Sequence, residues 1–270
     1  MKEPGLVIEP EALERLLDDP SIVVVDLCKA KQYKKGHIPG AHFVNYSDII
    51  RAEKPMMGLL PTDEQFSRLV ASLGITAESH VVAYDDEGGG CASRFIWTLH
   101  VFGHTRTSLL NGGLFSWANE GHPLTRDTPR SEASDYRLTS TGNFAADREY
   151  IMQHLQDPHT VLLDARSLAE FNGDKKFAAR GGHIPGARRY EWTDAMDRAH
   201  NLRLLPAATI QQDLDRLGIT KDKAVIVYCQ THHRSAFSYV MLRSLGYEDV
   251  RGYPGSWSEW GNREDTPVER

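Results

Sequence analysis

The sequence predicts an α/β protein of two tandem domains, each a mainly parallel sheet flanked by helices. Three observations carry this reading. Short apolar runs alternate with helical patterns, the second half of the chain repeats the first, and a polar, turn-rich stretch separates the halves. Ile22-Val23-Val24-Val25-Asp26 opens the first half as a buried strand, since it is short and rich in branched residues. Gly36-His37-Ile38-Pro39-Gly40-Ala41 follows as a rigid turn into the next strand, because glycine permits unusual dihedrals and proline fixes one. Asp63 to Leu73 reads as a helix, and Val81-Val82-Ala83-Tyr84 as a further strand.

The second half runs through the same signals in the same order. Val161-Leu162-Leu163-Asp164 is its first strand, and the Gly-His-Ile-Pro-Gly-Ala string returns at Gly182 to Ala187. Leu59-Leu60-Pro61 returns as Leu204-Leu205-Pro206, and Leu73-Gly74-Ile75-Thr76 as Leu217-Gly218-Ile219-Thr220. Tyr84 pairs with Tyr228 and Gly103 with Gly246, while Thr209 to Leu217 repeats the helix. These anchors drift by single residues only, so the halves are homologous, and their period is far longer than that of a solenoid repeat. The predicted layout is a first domain over 1–125, a linker over 126–140 around Arg126-Asp127-Thr128-Pro129-Arg130-Ser131-Glu132, and a second domain over 141–270.

Composition narrows the function classes. With 40% hydrophobic and 25% charged residues over 270 positions, the chain reads as a soluble globular protein. A net charge of −6 and the lack of a long basic run exclude nucleic acid as the main partner. No apolar stretch approaches membrane-spanning length, and the start Met1-Lys2-Glu3-Pro4-Gly5 lacks the apolar region of a signal peptide. The three cysteines, Cys28, Cys91 and Cys229, are odd in number and widely spaced, which suits a reducing compartment. The expectation is a cytoplasmic monomer.

The chemistry concentrates after the strand Ala224-Val225-Ile226-Val227-Tyr228. There Cys229-Gln230-Thr231-His232-His233-Arg234-Ser235 leads into a segment whose Phe237, Val240, Met241 and Leu245 recur at helical spacing, with Gly246 suited to the helix end. A thiol where a loop enters a helix meets unsatisfied N–H groups and the positive end of the helix dipole, so its thiolate is favoured. Cys229 is therefore the candidate nucleophile. Backbone N–H groups from Gln230 to Ser235 can turn inward as an anion-binding nest. Arg234 can offer paired donors to an oxyanion, His232 and His233 can add charge, and Thr231 and Ser235 can donate hydroxyl hydrogen bonds. A metal site on Cys229, His232 and His233 is weighed and set aside, because adjacent histidines on a tight loop rarely converge and no fourth ligand stands at a recognisable spacing.

The first half lacks this chemistry, since Asp85 follows Val81-Val82-Ala83-Tyr84 where the second half has Cys229. Cys91 sits six positions after Asp85, and Cys28 has Arg166 as its counterpart, so both read as structural. His37 and His183 recur in both halves and read as scaffold, with ring nitrogens bonded to nearby backbone. Asp26 and Asp164 read as strand-end acceptors of backbone hydrogen bonds, and Trp257 and Trp260 as packing residues. The second half also carries eight extra positions around Asn172 to Arg180, from which Arg180 is the candidate second anion contact.

The paired Gly-His-Ile-Pro-Gly-Ala strings, Gly112-Gly113-Leu114-Phe115-Ser116-Trp117, Gly255-Ser256-Trp257-Ser258-Glu259-Trp260 and the Cys229 loop together resemble the rhodaneses, specifically the two-domain thiosulfate sulfurtransferases. The resemblance implies two rhodanese-like domains, the first non-catalytic and the second forming a persulfide on its cysteine. It further implies thiosulfate as sulfur donor, a thiophilic acceptor such as cyanide or a thiol, ping-pong kinetics and no cofactor. Vertebrate-like members place arginine and lysine directly after the cysteine, and 3-mercaptopyruvate enzymes use a Gly-Ser-Gly run. Gln230-Thr231-His232-His233 matches neither and resembles a bacterial variant of the tandem thiosulfate enzymes. The alternatives are 3-mercaptopyruvate sulfurtransfer, a cysteine phosphatase and a non-catalytic sulfur-relay module. Phosphatases of the related fold place one more residue between cysteine and arginine than the four found here, so the shorter loop suits one sulfur atom.

Overall fold

The computed structural model describes residues 4–130 and 132–270. Met1, Lys2 and Glu3, which entered the reading of the chain start, and Ser131 of the linker string lie outside the described residues. The chain forms two compact units, each built on a parallel sheet.

In the first unit the sheet order is Val7–Ile8, Thr107–Leu110, His80–Tyr84, Ile22–Asp26 and His42–Phe43, all parallel. In the second it is Val250–Gly252, Ala224–Tyr228, Thr160–Asp164 and Arg188–Arg189, again all parallel. The central strands are buried on both faces, which is why they read as unbroken apolar runs. The helices after them are buried nearly all round: Gly90–Val101 in the first unit, Arg234–Ser244 in the second. The predicted helices over Asp63 and Thr209 form as Asp63–Ser72, with a Thr62 and Gln65 capping box, and Ala207–Arg216.

The units interleave along the chain. The first comprises the segment up to Ile49, Pro61–Asn143 and Met196–Leu204; the second comprises Ile50–Leu60, Phe144–Ala195 and Leu205–Arg270. Each therefore holds a small antiparallel hairpin drawn from the other half of the sequence: Met196–Asp197 with Arg203–Leu204 in the first, Arg51–Glu53 with Met56–Leu59 in the second. The polar stretch after Thr125 is mostly exposed but tied down, since Ser67 Oγ donates to the Leu138 carbonyl and accepts the Leu138 N–H, both at 2.9 Å. The repeated histidines act as scaffold. His37 Nδ1 lies 2.9 Å from the Tyr33 carbonyl, and His183 Nδ1 lies 2.9 Å from that of Phe171, on whose ring it stacks. Among the described residues no helix is long and apolar enough to cross a membrane.

Candidate active site

Strand Ala224–Tyr228 ends in Tyr228, whose hydroxyl accepts the Ile184 N–H at 3.1 Å and so ties the strand end to the Gly-His-Ile-Pro turn. Cys229 follows, 1% exposed. Its loop rests on the start of the helix Ser256–Trp260. Trp257 N–H donates to the Cys229 carbonyl and Ser258 N–H to that of Gln230, both at 2.9 Å. Ser256 Oγ accepts the Cys229 N–H at 3.4 Å and donates to the Tyr253 carbonyl at 2.7 Å. Ser256 holds this post with φ at 49°, a left-handed conformation that costs a non-glycine residue about 1 kcal/mol.

The thiol itself faces donors. Burial works against its charged form, but the Arg234 guanidinium, the Ser235 hydroxyl and N–H, and the Thr231 N–H outweigh burial and hold it below the ordinary cysteine value. The loop closes tightly because His232 takes φ of 55°, with Nδ1 2.7 Å from Ser235 Oγ. His233 caps the helix Arg234–Ser244 and lies against the Trp192 ring, centroids 5.8 Å apart. Gln230, partly exposed, donates its amide to the Phe177 carbonyl at 3.0 Å, linking the loop to the eight-residue insertion.

Arg234 is held by a residue that sequence reasoning missed. Its two terminal nitrogens each donate to one oxygen of Glu170 at 2.8 Å. Burial opposes the Glu170 charge, but Arg234 and Ser167 overcome it and depress its pKa to about 2. A readable signal existed, since Ser167 and Glu170 form a capping box on the short helix Leu168–Phe171. Beneath the loop lies a second buried pair. Arg166 donates its Nε and a terminal nitrogen to Asp164, 2.6 Å at the closest, and stacks 4.5 Å from the Trp257 ring centroid.

Arg180 does not join the cradle. Its guanidinium donates to the carbonyls of Thr266 and Trp260, at 2.7 and 2.8 Å, and so fastens the C-terminal segment. The structure thus brings Cys229, Thr231, His232, Arg234 and Ser235 around one point, with Gln230 and His233 on the flanks and Arg180 apart.

Two copies of one parallel α/β fold, one of them carrying a cysteine faced by the Thr231 and Ser235 amides and by Arg234 at its strand-to-helix turn, define the class. The chain belongs to the rhodanese-like family: the model for the "Rhodanese-like domain" matches residues 9–120 and 147–263. Among individual relatives, the thiosulfate sulfurtransferase of Azotobacter vinelandii is 46% identical over 264 residues, covering 98% of this chain and 97% of its own. That of Pseudomonas aeruginosa is 47% identical over 264 residues, with the same shares covered. The solved structure "Crystal structure of YnjE" superposes with a TM-score of 0.88 at 23% identity, covering 100% of this chain and 70% of that one, and speaks for the fold alone.

Proposed function

We propose that this protein is a thiosulfate sulfurtransferase that works through a persulfide on Cys229. The observation that carries the reading is the buried thiol held toward thiolate by Arg234 and by the N–H groups of Thr231 and Ser235. Full-length identity to the two bacterial thiosulfate sulfurtransferases supports the choice of donor.

In the first half-reaction the Cys229 thiolate attacks the outer sulfur of thiosulfate. A sulfur–sulfur bond forms to Cys229, the bond within thiosulfate breaks, and sulfite departs with its electron pair. In the second, a thiophile such as cyanide attacks the outer persulfide sulfur, leaving as thiocyanate and restoring the thiolate. The terminal sulfur carries negative charge as the persulfide forms, and the inward amides of Thr231 and Ser235 are placed to receive it. Arg234, clamped by Glu170, supplies fixed positive charge rather than a roaming hand for the donor. Ser235 and His232 keep the loop closed around the sulfur, and Gln230 and His233 line its approach.

No Gly-Ser-Gly run follows the cysteine, so 3-mercaptopyruvate is the lesser donor. The reading extends to a cytoplasmic monomer, on the ground that the three cysteines are odd in number and widely spaced in the sequence. Intact-mass spectrometry tests it. Thiosulfate should add one sulfur atom, cyanide should remove it, and Cys229→Ser should show neither change. A chain that gains no mass, or gains it equally in Cys229→Ser, defeats the reading.

A further inference from the structure

The hairpin Arg51–Leu59 comes from the half of the sequence without the candidate nucleophile, yet it belongs to the same compact unit as Cys229. Its second strand, Met56–Leu59, packs against the helix Ser256–Trp260, whose Trp257 N–H donates to the Cys229 carbonyl. Within that strand Gly58 is buried between a half-buried Leu59 and an exposed Met57. A Cβ built on Gly58 would stand 2.0 Å from the Thr231 carbonyl oxygen, 2.7 Å from its carbon and 3.1 Å from the Thr231 Cα. All three are backbone atoms, so no side-chain rotation relieves the overlap; either the hairpin or Thr231 must move.

Thr231 cannot move without consequence, because its N–H is one of the donors that face the Cys229 sulfur. The next residue, His232, already occupies a left-handed conformation and leaves the loop little slack. We propose that Gly58 is a positioning residue for the sulfur cradle: its missing side chain lets the hairpin lie directly on Thr231 and fix the aim of the Thr231 N–H at Cys229. The proposal rests on the reading of Cys229 as nucleophile, and it deepens that reading by making part of the cradle the work of the non-catalytic half of the sequence.

The test is Gly58→Ala, read by the pH dependence of Cys229 alkylation with iodoacetamide, followed on the peptide that contains Cys229. With one donor displaced, the thiolate fraction falls, so the alkylation midpoint moves to higher pH and the rate at neutral pH drops about tenfold. Gly186→Ala is the control. Gly186 lies in the same unit with φ of 76° and nothing within 4 Å of its missing Cβ, so alanine there strains the fold without touching the loop. Its alkylation profile should match the parent. A folded Gly58→Ala protein with the parent profile, or an equal shift in Gly186→Ala, overturns the proposal.

Where Gly58→Ala fails to fold, hydrogen exchange on the parent chain decides. Carboxamidomethylation of Cys229 should change exchange in residues 56–60 together with 229–235; a change confined to 229–235 overturns the proposal. Alkylation needs no sulfur transfer. A chain that accepts no sulfur from thiosulfate yet shows the shifted midpoint in Gly58→Ala defeats the function and leaves the role of Gly58 standing.

Discussion

The loop Asp85 to Cys91 and the loop Cys229 to Ser235 are one backbone design put to opposite uses. Both follow the central strand of a parallel sheet, and both run into a buried helix, at Gly90 in one and Arg234 in the other. Both turn through a left-handed residue three positions after the strand-end group, Gly88 with φ of 100° and His232 with φ of 55°. In the first, the inward amides already hold an anion: Glu87 and Gly89 donate to one oxygen of Asp85 at 3.1 and 2.8 Å, and Ala92 to the other at 3.0 Å. In the second, they face a single sulfur.

The charges around the two groups also differ in sign. Glu87 stands where Thr231 stands, and Gly90 where Arg234 stands. Burial and the Glu87 charge push the Asp85 carboxyl up to about 6 despite its three amides. Burial followed by the charges of Asp85 and Glu87 drives the Cys91 thiol far above its ordinary value, so it is a poor nucleophile. One loop design thus holds a buried carboxylate or surrounds a buried thiol with donors according to a few side chains. The difference extends below the loops, where Tyr84 and Cys28 donate to Asp26, while Arg166 pairs with Asp164.

The largest expected effect comes from exchanging the central groups. Cys229→Asp should fill the second cradle as Asp85 fills the first and reduce thiosulfate:cyanide turnover to background, at least about 10⁴-fold. Adding Asp85→Cys to that variant should restore nothing, because Glu87 and the missing guanidinium keep the new thiol protonated. Sulfur gained by the double variant in intact-mass spectra would show that the amides alone suffice and that the charge contrast is idle.

A smaller effect is expected at Glu170. Glu170→Gln removes the negative partner that holds Arg234 in place, and kcat/KM for thiosulfate should fall about tenfold, in line with loss of a charge-assisted hydrogen bond. Stability supplies a second readout. The folded-state pKa of Glu170 is depressed to about 2 from an ordinary 4.5, so its contribution is present above the ordinary value and is lost as pH falls toward 2. Acid unfolding followed by circular dichroism should therefore lose part of its slope between those values in Glu170→Gln. An unchanged slope would mean the pair adds nothing to the fold.

The sheets and the duplication were legible in the sequence because burial on both faces of a parallel strand leaves an unmistakable apolar run, as in Val81–Tyr84 and Val225–Tyr228. The placing of Cys229 after such a strand was legible for the same reason. Glu170 escaped because its pairing with Arg234 spans 64 positions and depends on how two elements meet. Gly58 escaped because close backbone approach leaves no mark on a glycine's own neighbours in sequence. Arg180 was expected near the donor, but carbonyls from Trp260 and Thr266, some eighty positions away, claim its guanidinium. Long charged side chains follow such distant acceptors, which local patterns do not reveal.

The smallest expected effect lies in the first unit and concerns fold rather than turnover. Asp85 titrates near 6 when folded and near 3.8 when exposed, so the folded form binds the proton more tightly. Its contribution is full below about 3.8 and declines as pH rises through about 6, leaving the protein less stable at neutral pH than this site would allow when protonated. Asp85→Asn removes the charge and keeps an oxygen for the Glu87 and Gly89 N–H groups, but leaves the Ala92 N–H without its acceptor at every pH. Its Tm relative to the parent should therefore be about 2–4 °C more favourable at pH 8 than at pH 4. Sulfur transfer by Cys229 should stay within twofold of the parent at both values. A Tm difference from the parent that is the same at both values would mean the Asp85 charge costs the fold nothing, and the first cradle would then match the second in electrostatics as well as in shape.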